Sequence, residues 1–381
     1  MRIHEIQARS ILRKHKKIDS WFLSRYGMNL YRSCPHNCIY CDGRYEKYQT
    51  EGEFGKDVFI KINAIDILKH ELDPSRKRKP LRSGYIMLGG GIGDSYNPAE
   101  EKYGLTRRAL ELIHDRDFPV HILTKSTLVK RDIDILKQIN KKKKVILSFS
   151  FSSVNSKISR IFEPGVPDPE KRLEAISFFK ARGFSCGMFL MPVIPFITDT
   201  PALLEESIKK AKEAGVDFII FGGMTLKPGR QKEFFYETLK EHYPGLIPHY
   251  DRIYNDHTPW GEANKKYYES IHDTFKDIVQ KWQVPVRIPP VLFQNVLDEN
   301  DRVIVLLEHI DYLLKLLGKP SLFGYAAYSL SKLDKPLTSV KELRSLKGIG
   351  PVTEKIIIEI LQTGSSKYYE KLLNLKDQQT T

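Results

Sequence analysis

Three of the four cysteines in this 381-residue chain, Cys34, Cys38 and Cys41, fall within one short segment, Cys34-Pro-His-Asn-Cys38-Ile-Tyr-Cys41. Thiolates are soft ligands, so such a cluster selects zinc, copper(I) or an iron–sulfur centre. A structural zinc site wants four ligands and usually comes as paired C-x2-C knuckles. No second knuckle exists, although Cys186 is available as a distant fourth ligand. A three-cysteine cubane leaves one iron of a [4Fe–4S] cluster without a protein ligand. An open iron is what cleavage of S-adenosylmethionine requires, because the methionyl amine and carboxylate must chelate it.

Several further residues lie where such a ligand would rest. Gly89, Gly90 and Gly91 follow the apolar run Tyr85–Leu88. Glycine lets backbone approach a ligand closely, although a tight turn explains the triplet about equally well. Asp94 and Ser95 come next. Lys125 closes the run Val120–Leu123 and would pair with a carboxylate, or simply be solvated. Ser148 and Ser150 sit in the run Val145–Phe151, where strand alternation places both on one face.

The elements that must carry these residues read as an α/β alternation. Strands are expected at Met28–Tyr31, Tyr85–Leu88, Val120–Leu123, Val145–Phe151, Gly187–Met191 and Phe218–Phe221. Between or after them lie helical patterns at Pro98–His114, Asp132–Asn140, Pro169–Arg182, Leu203–Ala214 and Arg230–His242. Asn97 and Asp168 precede prolines at helix starts, and Gly183 and Gly215 follow helix ends. Strands separated by helices of this length make βαβ units and a parallel sheet. Six units are too few for a closed eight-stranded barrel. The expected fold is an open (βα)6 partial barrel over residues 25–242, with its site at the carboxyl ends of the strands. Residues 1–24 form an N-terminal segment. Residues 243–331, with helical stretches Glu262–Trp282 and Val303–Leu317 and the Pro-rich segments Thr258–Trp260 and Val284–Pro290, form an α-helical layer on the barrel. Residues 332–381 form a small helical unit, and the basic runs Arg76–Lys79 and Lys141–Lys144 read as exposed loops.

Lys and Arg number 61 against 47 Asp and Glu, a net charge of +14. A surplus of that size points to a polyanionic partner, against the blander reading of a solvated lysine-rich surface. In the last unit, Leu346-Lys-Gly-Ile-Gly-Pro351 lies between two helical patterns, Val340–Ser345 and Val352–Leu361. Gly348 and Gly350 permit a tight hairpin whose amides bind phosphate oxygens without reading bases, with Lys347 and Lys355 adding charge nearby. This segment resembles a helix-hairpin-helix DNA-binding motif. Duplex DNA gripped through its backbone is the expected partner.

The cysteine spacing, with an aromatic residue before the last cysteine, resembles the radical S-adenosylmethionine superfamily. Within it, Asn29–Arg44, Asp94–Glu100, Thr124-Lys-Ser126, Ser148-Phe-Ser150 and Glu163–Pro169 look like the spore photoproduct lyase group. The resemblance implies that Tyr40 packs beside the adenine and that the Gly89–Gly91 turn accepts hydrogen bonds from the methionyl amine. It also implies that Asp94, Ser95, Lys125, Ser148 and Ser150 line the cofactor site. Two departures stand out. The group's hydrogen-returning cysteine is missing, since no cysteine lies between Cys41 and Cys186, and Asp42 replaces its tyrosine after the last cluster cysteine. Cys186 or Tyr96 is then the candidate hydrogen donor, although a buried structural thiol is the favoured reading of Cys186.

The expected activity is repair of a thymine photolesion in DNA by a 5′-deoxyadenosyl radical, with electrons from a ferredoxin or flavodoxin. Radical modification of RNA or another substrate is the alternative, and a DNA-binding protein with a structural or redox-sensing cluster is a third reading. No apolar run is long enough to span a membrane and the N-terminus has no secretory layout, so a cytoplasmic location is expected.

Overall fold

Tyr85–Leu88, Val120–Thr124 and Val145–Phe151 are each buried along their whole length. Strands with no solvent face belong to parallel sheets wrapped by helices. The computed structural model, which describes residues 1–48, 51–77, 81–254 and 260–373, shows that arrangement.

The chain begins with β1 (Arg2–Ile6), β2 (Leu12–Asp19), β3 (Ser24–Met28), β4 (Tyr31–Arg32), β5 (Asp57–Lys61) and α1 (Ala64–Glu71). The βα repeats follow as β6 (Tyr85–Leu88), α2 (Glu100–Tyr103), α3 (Leu105–Asp115), β7 (Val120–Thr124), α4 (Ile133–Lys142) and β8 (Val145–Phe151). They continue through α5 (Ser156–Phe162), α6 (Pro169–Lys180), β9 (Ser185–Val193), α7 (Pro201–Glu213), β10 (Phe218–Gly223) and α8 (Arg230–His242). The remainder is helical: α9 (Ile247–Ile253), α10 (Lys265–Trp282), α11 (Glu299–Leu316), α12 (Phe323–Leu330), α13 (Pro351–Thr363) and α14 (Lys367–Leu373).

Seven strands form one curled half-barrel sheet in the order β10-β9-β8-β7-β6-β3-β2. The six from β10 to β3 are parallel, which is the expected six-unit partial barrel, and β2 adds an antiparallel edge to β3. A second sheet, β1-β5-β4, sits apart from it.

Three expected elements differ. The first barrel strand is Ser24–Met28, not Met28–Tyr31, because Leu30 and Tyr31 turn away to pair with β5. The stretch Pro98–His114 is broken at Gly104, whose φ of 59° ends α2. The buried Glu100 carboxylate then accepts the Thr106 amide at 2.8 Å to start α3. Val340–Ser345 is not an α-helix but irregular backbone with a single 3-10 turn at Leu343–Ser345, so the helix before the hairpin is α12. Pro336 and the β-branched residues that follow leave too short a run to sustain i→i+4 bonding.

α11 fastens the C-terminal helices to the barrel. Arg25 of β3 and Asp301 of α11 form a buried bidentate ion pair, with Nε 2.5 Å from Oδ2. Ile356, Ile357 and Ile360 of α13 and Tyr369 and Leu372 of α14 belong to the same continuous core as the sheet. Lys141–Lys144 is exposed, whereas Arg76–Lys79 and Thr258–Trp260 lie partly outside the described residues. Among the described residues, no helix is long and apolar enough to cross a membrane.

Candidate active site

The cysteine loop leaves β4 and folds back over the carboxyl ends of the barrel strands. Ser33 and Asn37 adopt positive φ, and the loop closes around Arg44. Arg44 Nε donates to the Cys38 carbonyl at 3.2 Å and Nη2 to the Asn37 carbonyl at 3.3 Å. Its guanidinium lies 3.5 Å from the Phe234 ring centre, and burial lowers its pKa to about 10. Cys34 and Cys38 are buried and Cys41 half-buried, all as free thiols. Burial raises the pKa of each, Cys38 to about 12, and the Asp94 carboxylate and then Cys38 push Cys34 further up.

Buried thiols whose pKa values are raised ionise only against strong positive charge, and a soft metal would supply it. Among the described residues no three His, Cys, Asp or Glu side chains converge on one point as ligands of a single ion would. The cysteines of a cubane each meet a different iron and need not converge. The donor set fits a [4Fe–4S] cluster, which when bound supplies the one-electron cleavage of the sulfonium.

Beside the triad lies a cavity of about 400 Å³, within the usual range for a small-molecule site. Cys34, Cys38 and Cys41 form one wall; Tyr40, Gly89–Gly91, Asp94, Lys125 and Ser150 form others. Gly89 has φ of 86°, and a Cβ there would stand 2.0 Å from the Leu123 carbonyl, so only glycine lets the turn cross β7. A Cβ on Gly91 would meet nothing within 4 Å.

The polar wall is one network. Lys125 Nζ is 2.8 Å from Ser150 Oγ and 3.1 Å from Glu163 Oε1, and Arg172 Nη2 is 2.6 Å from Glu163 Oε2. The Tyr40 hydroxyl donates to the same Glu163 Oε1, and its ring lies 5.6 Å from Lys125 Nζ. Burial pushes the Glu163 pKa up, but Arg172 and then Lys125 more than offset it and hold the carboxylate well below the usual range. Asp94 accepts from Thr124 Oγ1 and from the amides of Tyr96 and Lys125, all at 2.8 Å, with His36 Nε2 3.3 Å away. Its carboxylate therefore braces the turn.

The structure separates the other expected residues. Ser95 lines a second cavity, whereas Ser148 lies deeper in the barrel, bonded to His121 Nε2 at 2.8 Å and lining neither cavity. Tyr96 is fully buried and its hydroxyl donates to Asp132 at 3.0 Å. Cys186 is fully buried too, its sulfur 3.9 Å from the Ile176 carbonyl of α6. Neither candidate hydrogen donor lines either of these two cavities; β9 alternation sends Cys186 to the helix side and Gly187 and Phe189 to the barrel interior.

Residues 28–203 match the radical SAM superfamily. That segment is a radical SAM domain. A helix-hairpin-helix domain matches residues 298–366. Over 255 residues the chain is 29% identical to an uncharacterized protein of Mycobacterium tuberculosis, covering 66% of this chain and 73% of that one. An uncharacterized protein of Methanocaldococcus jannaschii is 28% identical over 66% of this chain and 86% of its own. Among solved structures, a spore photoproduct lyase variant holding dinucleoside spore photoproduct superposes with a TM-score of 0.55 at 18% identity, over 73% of this chain and 79% of that one. A second variant, with AdoMet also bound, gives 0.55 at 17% identity over the same shares.

The second cavity, about 640 Å³, shares Cys41, Asp42, Gly89–Gly91 and Asp94 with the first. It also uses Tyr48 and β2, and neither these nor Phe22, which lines both cavities, were singled out by the sequence. Asp42 is held by the buried Lys227 at 2.7 Å and Thr225 Oγ1 at 2.7 Å. Their place just after β10 was the available signal, because the carboxyl ends of all strands face the site.

In the hairpin, Gly348 has φ of 80° and Ile349 is buried, while Lys347, Gly350 and Lys355 are exposed. Gly350 precedes Pro351 at the first position of α13, leaving free amides at that helix start. Arg344 is paired with Glu354 at 2.6 Å, whereas Lys347 and Lys355 make no ion pair among the described residues.

Proposed function

We propose that the chain is a DNA-repair enzyme that reverses a thymine photolesion of the cross-linked dithymine type, using S-adenosylmethionine on the Cys34–Cys38–Cys41 cluster. The observation that carries this reading is the pair of joined cavities. The smaller, beside the triad, suits the cofactor; the larger opens from it past Gly91 and Asp42 and is of nucleotide size. Lys125 and Ser150 would orient the cofactor's carboxylate end, the glycine turn its amine, and Tyr40 its adenine.

Two comparisons support the choice of substrate. The spore photoproduct lyase variants of similar fold hold a dinucleoside photoproduct, and this chain carries a helix-hairpin-helix match. Lys347, Lys355 and the amides around Gly348 and Gly350 would grip the phosphate backbone, and a damaged step unstacks at lower cost than an intact one. A ferredoxin- or flavodoxin-type reductant would supply the electron, in a reducing cytoplasmic setting. The test is anaerobic reconstitution with iron and sulfide, followed by mass spectrometry of a lesion-bearing oligonucleotide. Return of thymine is expected. Formation of 5′-deoxyadenosine with no conversion of any dithymine lesion would refute the repair reading while leaving the radical chemistry intact.

A further inference from the structure

We propose that β2, the charged edge strand of the half-barrel, is a phosphate rail that holds a DNA strand against the larger cavity, as a contact separate from the helix-hairpin-helix module. This inference deepens the nucleic-acid reading above and rests on it.

The strand reads Leu12-Arg-Lys-His-Lys-Lys-Ile-Asp19. Its odd-numbered side chains Arg13, His15 and Asp19 line the 640 Å³ cavity, together with Cys41 and Gly89–Gly91. Arg13 faces Gly27 of β3 across the antiparallel pair, and a Cβ on Gly27 would stand 3.3 Å from His15 Nε2. The bare glycine backbone makes room for the imidazole on the cavity wall. The His15 ring makes no hydrogen bond among the described residues.

Asp19, Asp42 and Asp94 put carboxylates on the same cavity, so the excess positive charge lies along the exposed length of the strand. Arg9, Arg13, Lys14 and Lys16 are exposed and form no ion pair among the described residues, whereas the next lysine, Lys17, is taken up by Glu308 of α11. Charged edge strands commonly serve to block edge-to-edge aggregation. That role leaves unexplained why Arg13 and His15 turn into the cavity while Lys14 and Lys16 continue the cationic row along its rim. Across the cavity stands Tyr48, 41% exposed and edge-on to Tyr45 at 5.8 Å. The Arg13 guanidinium with the exposed lysines of the strand, and the Tyr48 ring on the same cavity, supply the two elements that hold a nucleic-acid strand, one for phosphates and one for bases.

The strand is also held rigidly. Ile18 is buried, the Ser20 carbonyl lies 3.2 Å from His309 Nε2, and the Arg25–Asp301 pair locks the adjoining strand to α11. The rail is therefore fixed to the helix on which the hairpin helices pack.

The test is fluorescence anisotropy of a lesion-free DNA strand with the full chain across a salt series. The variant R13E/K14E/K16E is expected to bind about tenfold or more weakly near 0.1 M salt, with the slope of log affinity against log salt flattened by about 2 to 3. K16E alone should flatten it by about 1, and the charge-retaining R13K/K14R/K16R should bind as the parent does. The effect should persist when K347E is added, since the two contacts are separate. Parent-like affinity and slope in both K16E and the triple variant would overturn the rail, as would tighter binding of an RNA strand of the same sequence. Because the strand carries no lesion, this outcome is independent of turnover. Weakened binding with no lesion ever converted would sink the repair reading alone, and repair with undiminished binding would sink the rail alone.

Discussion

Glu163 and Arg172 are both fully buried, and Arg172 Nη2 stands 2.6 Å from Glu163 Oε2. From that pair hang Lys125 and the Tyr40 hydroxyl, both on Glu163 Oε1, so one carboxylate fixes two walls of the cavity beside the cysteine triad. Removing one member of a buried pair strands the other charge, at a cost of about 3–5 kcal/mol. Glu163→Gln should therefore lower the melting temperature by several degrees, and Arg172→Met by a comparable amount. Glu163→Gln should also weaken S-adenosylmethionine binding, measured by calorimetry on the reconstituted protein, because Lys125 loses its anchor. Undiminished stability in both variants would show that the pair does not organise the site.

The glycine turn makes a sharper contrast. At Gly89 a Cβ collides with the Leu123 carbonyl at 2.0 Å in a left-handed backbone, whereas at Gly91 it enters open space on the cavity side. Gly89→Ala should destabilise the fold by roughly 1–3 kcal/mol or more. Gly91→Ala should melt with the parent protein yet bind S-adenosylmethionine more weakly, since the methyl occupies ligand space. Equal melting temperatures for the two variants would contradict the placement of this turn.

His121 lies fully buried between the Phe22 carbonyl, 2.9 Å from Nδ1, and Ser148 Oγ, 2.8 Å from Nε2. Burial lowers its pKa from 6.5 to about 4. The neutral ring donates from Nδ1 and accepts at Nε2. A base whose folded pKa is depressed adds stability above its unfolded pKa and loses it as the pH falls, because the unfolded chain then takes up the proton first. The contribution is complete above about pH 6.5 and declines toward pH 4, amounting to about 2 kcal/mol between pH 8 and pH 5. His309, lowered to about 3 by burial, adds a similar loss. Urea midpoints across that window should fall as the pH drops, and the fall should be smaller in His121→Gln. An identical pH slope in the variant would exclude a neutral buried imidazole at this position.

Much of this architecture was legible in the sequence, and the parts that were not share a cause. The strands Tyr85–Leu88 and Val145–Phe151 could be read to the residue because they are mostly β-branched, aliphatic or aromatic and buried on both faces. The strand Leu12–Asp19 escaped because an edge strand buries little, and its charges masked the two-residue period. The triad, the glycine turn and Lys125 were found because each follows a strand. The Glu163–Arg172 pair was not, since its members lie on separate segments and meet only through packing. Ser148 and Ser150 share a face as alternation requires, but depth along the strand puts only Ser150 on the cavity. Periodicity carries no information about depth.

The same alternation bears on how a hydrogen atom is returned to product. A donor must reach the substrate, and the residues first suited to the role do not. Tyr96 is fixed to Asp132 and Cys186 faces α6, and neither lines the two cavities of the site. Cys186→Ala and Tyr96→Phe should therefore retain lesion turnover within about twofold, and Tyr96→Phe should cost about 1 kcal/mol of stability from its lost hydrogen bond. Tyr48 is an exposed tyrosine that lines the larger cavity together with Cys41 and Asp42. Tyr48→Phe should slow product formation tenfold or more while leaving 5′-deoxyadenosine release comparable, a split read by quantifying both products in one reaction. Full thymine return from Tyr48→Phe, or its loss in Cys186→Ala at unchanged stability, would overturn this assignment.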